Sequence, residues 1–380
     1  MKIAFVCRNN PSDRIVRSGV PYSIYHQLSI ISDSFWIKPE VEGILNKTLM
    51  FLQRVLFKLL RIMGKNVLSQ TPLTAYVYSK SVERQLKNRE YDAIFCLDCV
   101  DFAYLSTSKP VFYRTDAIVH GFINYYTYNV PKWLQAFVKI VEENALQKCC
   151  RFFIPSEWIR DCIIKNKIRL SPEKLVLVET GANLDGEFVK YRLHKYNIHM
   201  ELNMLFVGYN IKRKGIDEAF EAVRILNKKY KLKARLTVMG GKPSETMLSS
   251  GYVCYKGNMN KNIKDEYVKF YKEFENADLF IFPTKAECHG IVNCEAAAYG
   301  LPIFSYVTGG VPSYCKDEYN GRCLLPSAKG EDFAFAIYEA IANGKMEEYS
   351  VNSRSFYESH LNWDSWGKKV FPIIESFVTC

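Results

Sequence analysis

Two carboxylates, Glu287 and Glu295, stand eight residues apart in the run FPTKAECHGIVNCEAAAYGLP, with Gly290 between them. The apolar run 277–282 ends at Pro283 and a polar loop follows. From Gly290 onward, Ile291, Val292, Ala296 and Ala297 have the spacing of a helix packed tightly on a sheet. This reading puts Glu287 in the loop and Glu295 in the second helical turn. A helix N-terminus offers unpaired N–H groups and partial positive charge, which suit a phosphate, and carboxylates accept hydrogen bonds from vicinal hydroxyls. Phosphate and hydroxyls in one ligand describe a nucleotide or a sugar phosphate. The plainer reading of the same residues is a surface loop and a core helix whose glutamates are merely solvated. A second constellation lies upstream in VGYNIKRKGIDEAFEAV, where Gly208 ends an apolar run and Lys212, Arg213 and Lys214 precede a helix starting near Gly215. Cations beside a helix N-terminus are what a diphosphate requires.

Such groups need a sheet whose strands end where the loops begin. The chain opens with the apolar run 2–7, a polar loop and Ser18-Gly19-Val20-Pro21 leading into a helix near Tyr22. Strand, glycine loop and helix form a Rossmann-like opening. No GxGxxG is present, which removes the main support for a nicotinamide enzyme. Runs 91–96 and 110–113 read as further parallel strands, and the loop YRTDAIVHG after the second carries Asp116 and His120. Loops at the C-terminal ends of strands are where open α/β sheets hold ligands. Asp116 also suits a helix N-cap, and a lone histidine such as His120 is commonly structural. Runs 203–207, 236–239, 253–255 and 303–307 supply a second sheet, and the stretch 331–342 and the final residues read as amphipathic helices.

The Glu-x7-Glu spacing, the intervening glycine, the small-residue helix and the following Gly-Leu-Pro resemble the signature of the family 4 retaining, nucleotide-sugar-dependent glycosyltransferases. PSEWIRD and TGANLD are similar to segments of that family at the same place in chain order. The resemblance implies a GT-B fold: α/β, with two Rossmann-like domains facing across a cleft. It divides the chain into an acceptor-binding domain over 1–196, a nucleotide-sugar-binding domain over 197–360, and a last helix over 361–380 that returns to the first domain. It also implies that Glu295 holds ribose hydroxyls, that Glu287 hydrogen-bonds the transferred sugar, and that His289 touches that sugar. Arg213 and Lys214, with N–H groups of Gly290, Ile291 and Val292, would stabilise the departing diphosphate. Gly208 and, from the first domain, Gly19 complete the implied donor site, and Asp116 and His120 the acceptor site. No Asp-x-Asp pair is present, so the implied reaction is metal-independent, with front-face attack. The co-substrate is a UDP- or GDP-linked sugar, no other cofactor is implied, and the acceptor is a glycan or lipid-linked oligosaccharide of bacterial surface-polysaccharide type. Two departures stand out: Tyr209 occupies the place of an arginine in many members, and Ser313 that of a glutamate.

A chain of 380 residues with 48% apolar residues fits two or three ordinary domains. Charge is unevenly spread, with 28 Lys+Arg against 18 Asp+Glu in residues 1–200 and 23 against 22 in the remainder. An anionic acceptor or surface facing the first half is expected. Residues 43–82 hold no acid, and Arg54, Lys58, Arg61 and Lys65 recur at helical spacing within KTLMFLQRVLFKLLRIMGK. A basic amphipathic helix over 46–65 can lie in the headgroups of an anionic membrane; equally, it can pack on the sheet. The expected setting is the cytoplasm, peripheral to the inner face of the plasma membrane. No secretion signal and no run of about 18 uncharged apolar residues is seen. The twelve cysteines sit mostly in apolar contexts, as reduced thiols do, and the lone CxxC, Cys96 to Cys99, lacks a second pair for zinc. A nucleic-acid binder would explain the basic half, but no zinc finger or aromatic RNA motif accompanies it, so nucleic acid is not an expected partner. A GT-B-fold nucleotide-sugar epimerase is the competing enzyme class.

Overall fold

The computed structural model describes residues 1–60, 69–186, 189–191, 193 and 195–378. Half of the described strands are short apolar runs without alternating polarity and are buried on both faces, the pattern of a parallel sheet covered by helices. In chain order the first part comprises β1 (Lys2–Val6), α1 (Val20–Ile31), β2 (Asp33–Ile37), α2 (Ile44–Leu59), α3 (Pro72–Leu86), β3 (Ala93–Cys96), β4 (Val111–Arg114), α4 (Lys132–Lys148), β5 (Arg151–Ile154) and β6 (Leu175–Leu177). Its six strands are all parallel in the order β2-β1-β3-β4-β5-β6. The order reverses between β1 and β3, so the loops after these strands diverge and leave a crevice at the sheet's C-terminal edge.

The second part comprises β7 (Glu201–Gly208), α5 (Ile216–Lys228), β8 (Lys233–Gly240), β9 (Val253–Gly257), α6 (Lys264–Glu275), β10 (Leu279–Phe282), α7 (Ile291–Ala298), β11 (Ile303–Tyr306), β12 (Gly321–Leu324), α8 (Gly330–Ala342), α9 (Lys345–Ser359) and α10 (Trp363–Val378). Its sheet is again wholly parallel, in the order β12-β11-β10-β7-β8-β9. The reversal lies between β7 and β10, which brings the loops carrying Arg213 and Glu287 together. Strand alternation sorts the core onto two faces. Met204 and Phe206 pack with Ile216, Val223 and Ile337 on one side, whereas Leu205, Phe280 and Phe282 pack with Phe274, Cys294 and Tyr299 on the other.

The chain divides into two compact units, residues 1–179 with 367–380, and residues 180–366. The division falls ahead of the polar stretch near residue 196, because TGANLD is tied to later elements of the second unit. The Ala182 N–H donates to the carbonyl of Leu361 at 2.8 Å, and the Asp185 N–H to the Tyr271 hydroxyl at 2.6 Å. On the first unit, Phe377 of α10 meets Phe112 of β4 edge to face, with ring centroids 5.8 Å apart. No helix among the described residues is long and apolar enough to cross a membrane.

The basic amphipathic segment forms α2 as far as Leu59, while Arg61 and Lys65 lie outside the described residues. Its orientation is inverted relative to an ordinary surface helix. Asn46, Met50, Gln53 and Phe57, at helical spacing, turn inward. Gln53 donates to Thr74 and accepts from Thr71. Leu45, Phe51, Leu52, Leu56 and Leu59 are exposed, with Leu45 and Leu59 above 70%.

Candidate active site

Two loops build the second unit's constellation, and glycines press them together. Gly215 begins α5 at φ 83°, and a Cβ there would stand 2.0 Å from the carbonyl oxygen of Pro283. Only a glycine lets the β7 loop approach the β10 loop this closely. The contact is locked by the Lys285 N–H, which donates to the carbonyl of Arg213 at 2.8 Å. Gly290 precedes α7 at a φ of 81°, and a Cβ there would meet Asn293 Nδ2 of the same helix at 2.7 Å. Gly208, at the end of β7, has the Lys214 side chain packed over it.

Lys214 and Glu287 form an ion pair through Nζ and Oε2, both largely sequestered from solvent. Lys214 Nζ also lies 4.6 Å from the ring centroid of Phe282, a cation–π arrangement. Burial depresses the lysine's pKa, opposed by the Glu287 charge and reinforced by that of Arg213. Arg213 donates to the carbonyl oxygen of Ala286, and its guanidinium approaches Glu287 to 3.8 Å while remaining about one-third exposed. The Glu287 carbonyl accepts from the Gly310 N–H at 3.0 Å, anchoring the loop to the one after β11. Two cations and a carboxylate thus meet in the loop that leads into α7, where the Asn293 N–H donates to the Gly290 carbonyl at 2.8 Å and the N–H groups of Ile291 and Val292 precede the first intrahelical acceptor.

Glu295 lies one turn further along α7 and is 3% exposed. Its partner is Lys261, Nζ to Oε1 2.5 Å, from the loop between β9 and α6. Burial raises the Glu295 pKa, and the Lys261 charge opposes the rise. Asn293, in the first turn of α7, is fully buried, and its amide oxygen and nitrogen find no hydrogen-bond partner among the described residues. His289 is buried edge-on against Tyr314, centroids 4.9 Å apart. Ile291 is buried and Val292 half-buried.

In the first unit, Asp116 is not a helix N-cap. The next helix starts at Val119 with Ile118 as its cap, and Asp116 instead accepts from Arg114 Nη1 at 2.5 Å. Arg114 is 3% exposed and Asp116 is half-buried. His120 is buried, with Nδ1 2.5 Å from Glu142 of α4. Glu142 also accepts from the backbone N–H groups of Val119 and His120. One carboxylate therefore orients the imidazole and caps its helix. Gly19 is buried at φ 88° and begins α1.

Lys261, Glu142 and Arg114, which pair with site residues, and the buried Asn293 are residues that reading the sequence did not single out. Glu142 did carry a signal, an acid among Val138, Val141 and Ala145 on the buried face of an amphipathic helix. Lys261 carried none, since it stands in a polar loop and meets Glu295 only through the fold.

Residues 194–354 match the family model described as glycosyl transferases group 1. The chain is 28% identical over 244 residues to the capsular polysaccharide biosynthesis glycosyltransferase CapM of Staphylococcus aureus, covering 60% of this chain and 59% of CapM. It is 27% identical over 182 residues to an uncharacterized glycosyltransferase, MJ1607, of Methanocaldococcus jannaschii, covering 46% and 44%. These alignments thus span about half the length of the relatives they match. Among solved structures, HepE of Anabaena in complex with UDP superposes with a TM-score of 0.69 at 15% identity over 99% of this chain and all of HepE. WaaG, a glycosyltransferase involved in lipopolysaccharide biosynthesis, superposes with a TM-score of 0.65 at 16% identity over 98% and 99%. The fold, two six-stranded parallel α/β sheets, is the GT-B fold of these structures.

Proposed function

We propose that this chain is a glycosyltransferase that moves a sugar with retention of configuration from a nucleotide-sugar donor to a hydroxyl of a glycan or lipid-linked acceptor, a reading supported by its group 1 segment and its GT-B fold. One observation carries the reading: Arg213 and Lys214 meet Glu287 in the loop that leads into α7, the helix that carries Glu295, at the strand-order reversal of the second sheet. A diphosphate answers to the cations and the helix N-terminus, and ribose and sugar hydroxyls answer to the two carboxylates. HepE, whose fold this chain shares, has been solved with UDP-glucose, which makes a UDP-linked donor the first choice.

In this account Glu295 exchanges Lys261 for the ribose hydroxyls. Lys214 turns from Glu287 to the diphosphate, and Glu287 is freed to bind a hydroxyl of the transferred sugar, with His289 beside it. Arg213 and the first-turn N–H groups from Gly290 to Val292 complete a set of donors aimed at charge that grows as the diphosphate leaves. Preorganised donors of this kind are commonly the largest catalytic term. A leaving phosphate oxygen takes the acceptor's proton and attack comes from the same face, with no divalent metal required. Asp116, oriented by Arg114, binds the acceptor hydroxyl in the first unit, and His120, held by Glu142, shapes that loop. We expect slow hydrolysis of a UDP-, GDP- or ADP-linked sugar in EDTA, followed by proton NMR, to release first the anomer that the donor carried. First release of the opposite anomer, or dependence on added magnesium, would contradict the mechanism.

The inverted helix α2 extends the proposal to the acceptor's setting. Its outward leucines and Phe51 are flanked along one edge by Lys47, Arg54 and Lys58, with no acid in residues 43–82. Exposed apolar side chains bordered by cations match the interface of an anionic bilayer. The full-length protein is expected to co-sediment with vesicles of phosphatidylcholine and phosphatidylglycerol and much less with phosphatidylcholine alone. The Leu52→Asp/Leu56→Asp variant, altered only on the solvent face, should remain folded and stay in the supernatant. Equal sedimentation of the variant would remove α2 from the account.

A further inference from the structure

The loops after β1 and β3 meet at the first sheet's strand-order reversal and carry a cluster that the mechanism above leaves unused. Arg8 and Arg17 converge on Asp98: Arg17 Nη2 donates to Oδ1 at 2.5 Å, and Arg8 Nη2 lies 3.1 Å from Oδ2. Arg8 Nε also stands 3.6 Å from Oδ1 of Asp101. Asp101 is wholly buried, and neither of its carboxylate oxygens has a hydrogen-bond partner among the described residues. Arg17 and Ser18 both adopt positive φ, 47° and 57°, immediately before Gly19. Left-handed backbone at two successive non-glycine residues is costly and persists where surrounding contacts enforce it, often at ligand sites. Both guanidiniums remain partly open, with side chains 25% and 32% exposed.

The charges in this cluster do not balance. Burial works against ionisation of Asp98, but Arg17 and Arg8 together hold it below the ordinary carboxylate range. Asp101 is pushed up to about 7 by burial, with Arg8 opposing the shift and Asp98 adding to it. Arg17 also opposes the rise at Asp101; the buried thiols of Cys7, Cys96 and Cys99, all raised by burial, lie within electrostatic reach of it, and the Tyr78 ring lies against Arg8. Two guanidiniums therefore share one carboxylate whenever Asp101 is protonated, and one positive charge is left over. Ionised Asp101 cancels it.

We infer that Arg8 and Arg17 bind an anionic group, a carboxylate or phosphate, carried by the sugar acceptor, and that Asp101 sets the charge available to it. The inference rests on the reading of the first unit as the acceptor's. Arg17 also lies within electrostatic reach of Asp116, so an anion held here stands beside the residue proposed for the acceptor hydroxyl. Arginine pairs suit such groups because their planar forks match carboxylate and phosphate oxygens.

Calorimetric titration of the full-length protein tests this without any turnover, so its failure is separable from failure of the transferase reading. The probes are glucuronate and glucose 6-phosphate, with glucose as the neutral control. Glucuronate keeps its charge throughout, so its binding is expected to weaken about tenfold between about pH 6 and about pH 8 as Asp101 ionises. Asp101→Asn, always neutral, should retain binding and lose the pH dependence. Arg17→Gln should abolish binding, whereas Arg213→Ala, in the second unit, should not. Preference for one probe assigns the carboxylate or the phosphate. Binding of neither probe, binding that survives Arg17→Gln, binding lost in Arg213→Ala, or a pH dependence that persists in Asp101→Asn would each overturn the inference.

Discussion

Replacing Lys214 by alanine is expected to lower kcat by about 10²- to 10³-fold, the usual loss on deleting one preorganised donor to developing negative charge. The side chain is buried against Phe282 and paired with Glu287, and its stem covers Gly208. The alanine variant leaves Glu287 without its nearest cation, so some loss of stability accompanies the loss of rate. Lys214→Arg keeps the charge and separates the two effects. Burial lowers the lysine's pKa below its ordinary 10.5, and deprotonation removes the charge that the leaving group needs. The rate should therefore fall as pH rises through that depressed value. In Lys214→Arg the alkaline fall should shift upward, since a guanidinium does not titrate in this range. Measurement of kcat against pH for the three proteins checks both statements, and an alkaline limb unchanged in Lys214→Arg would detach it from Lys214.

Glu295→Gln is expected to weaken donor binding by about 10- to 100-fold, the equivalent of one charge-assisted hydrogen-bonding group at about 1.5–3 kcal/mol. The effect should appear in donor KM more than in kcat, because ribose hydroxyls do not change during transfer. Glutamine keeps the shape of α7, whose Ala296, Ala297 and Ala298 are fully buried, so the helix should be undisturbed. Lys261 supplies the control. Lys261→Met removes the group that must leave Glu295, but it also strands a buried carboxylate whose pKa is already raised by burial. The Glu295 carboxyl should then take up a proton more readily, and donor binding should strengthen as pH rises and restores the carboxylate. Isothermal titration at several pH values follows this directly.

The central strand, loop and helix were legible because their signals are local. An apolar run ending at Pro283, a glycine at the bend and small residues along α7 lie within one continuous stretch. The two-sheet α/β fold was legible for the same reason, since fully buried parallel strands read as unbroken apolar runs. Contacts that depend on strand order were not. Arg8 and Asp98 are ninety residues apart and meet only because β1 lies beside β3. Lys261 reaches Glu295 from a loop with no apolar period. Periodicity announced α2 as amphipathic but could not say which face turns inward, and Gln53 and Asn46 occupy the inner face, where an apolar stripe is the rule. Asp116 read equally well as a cap, and its pairing with Arg114 depends on where the following helix begins.

The central claim is that the second unit binds a nucleotide-sugar through Glu295 and the cations around α7, without a divalent metal. Thermal stabilisation of the wild-type protein and of Glu295→Ala, in EDTA, against UDP-, GDP- and ADP-sugars tests it most directly. The account predicts a rise in Tm with one nucleotide class that largely disappears in the variant. No rise with any class, in EDTA or with added magnesium, or an equal rise in Glu295→Ala, would contradict it.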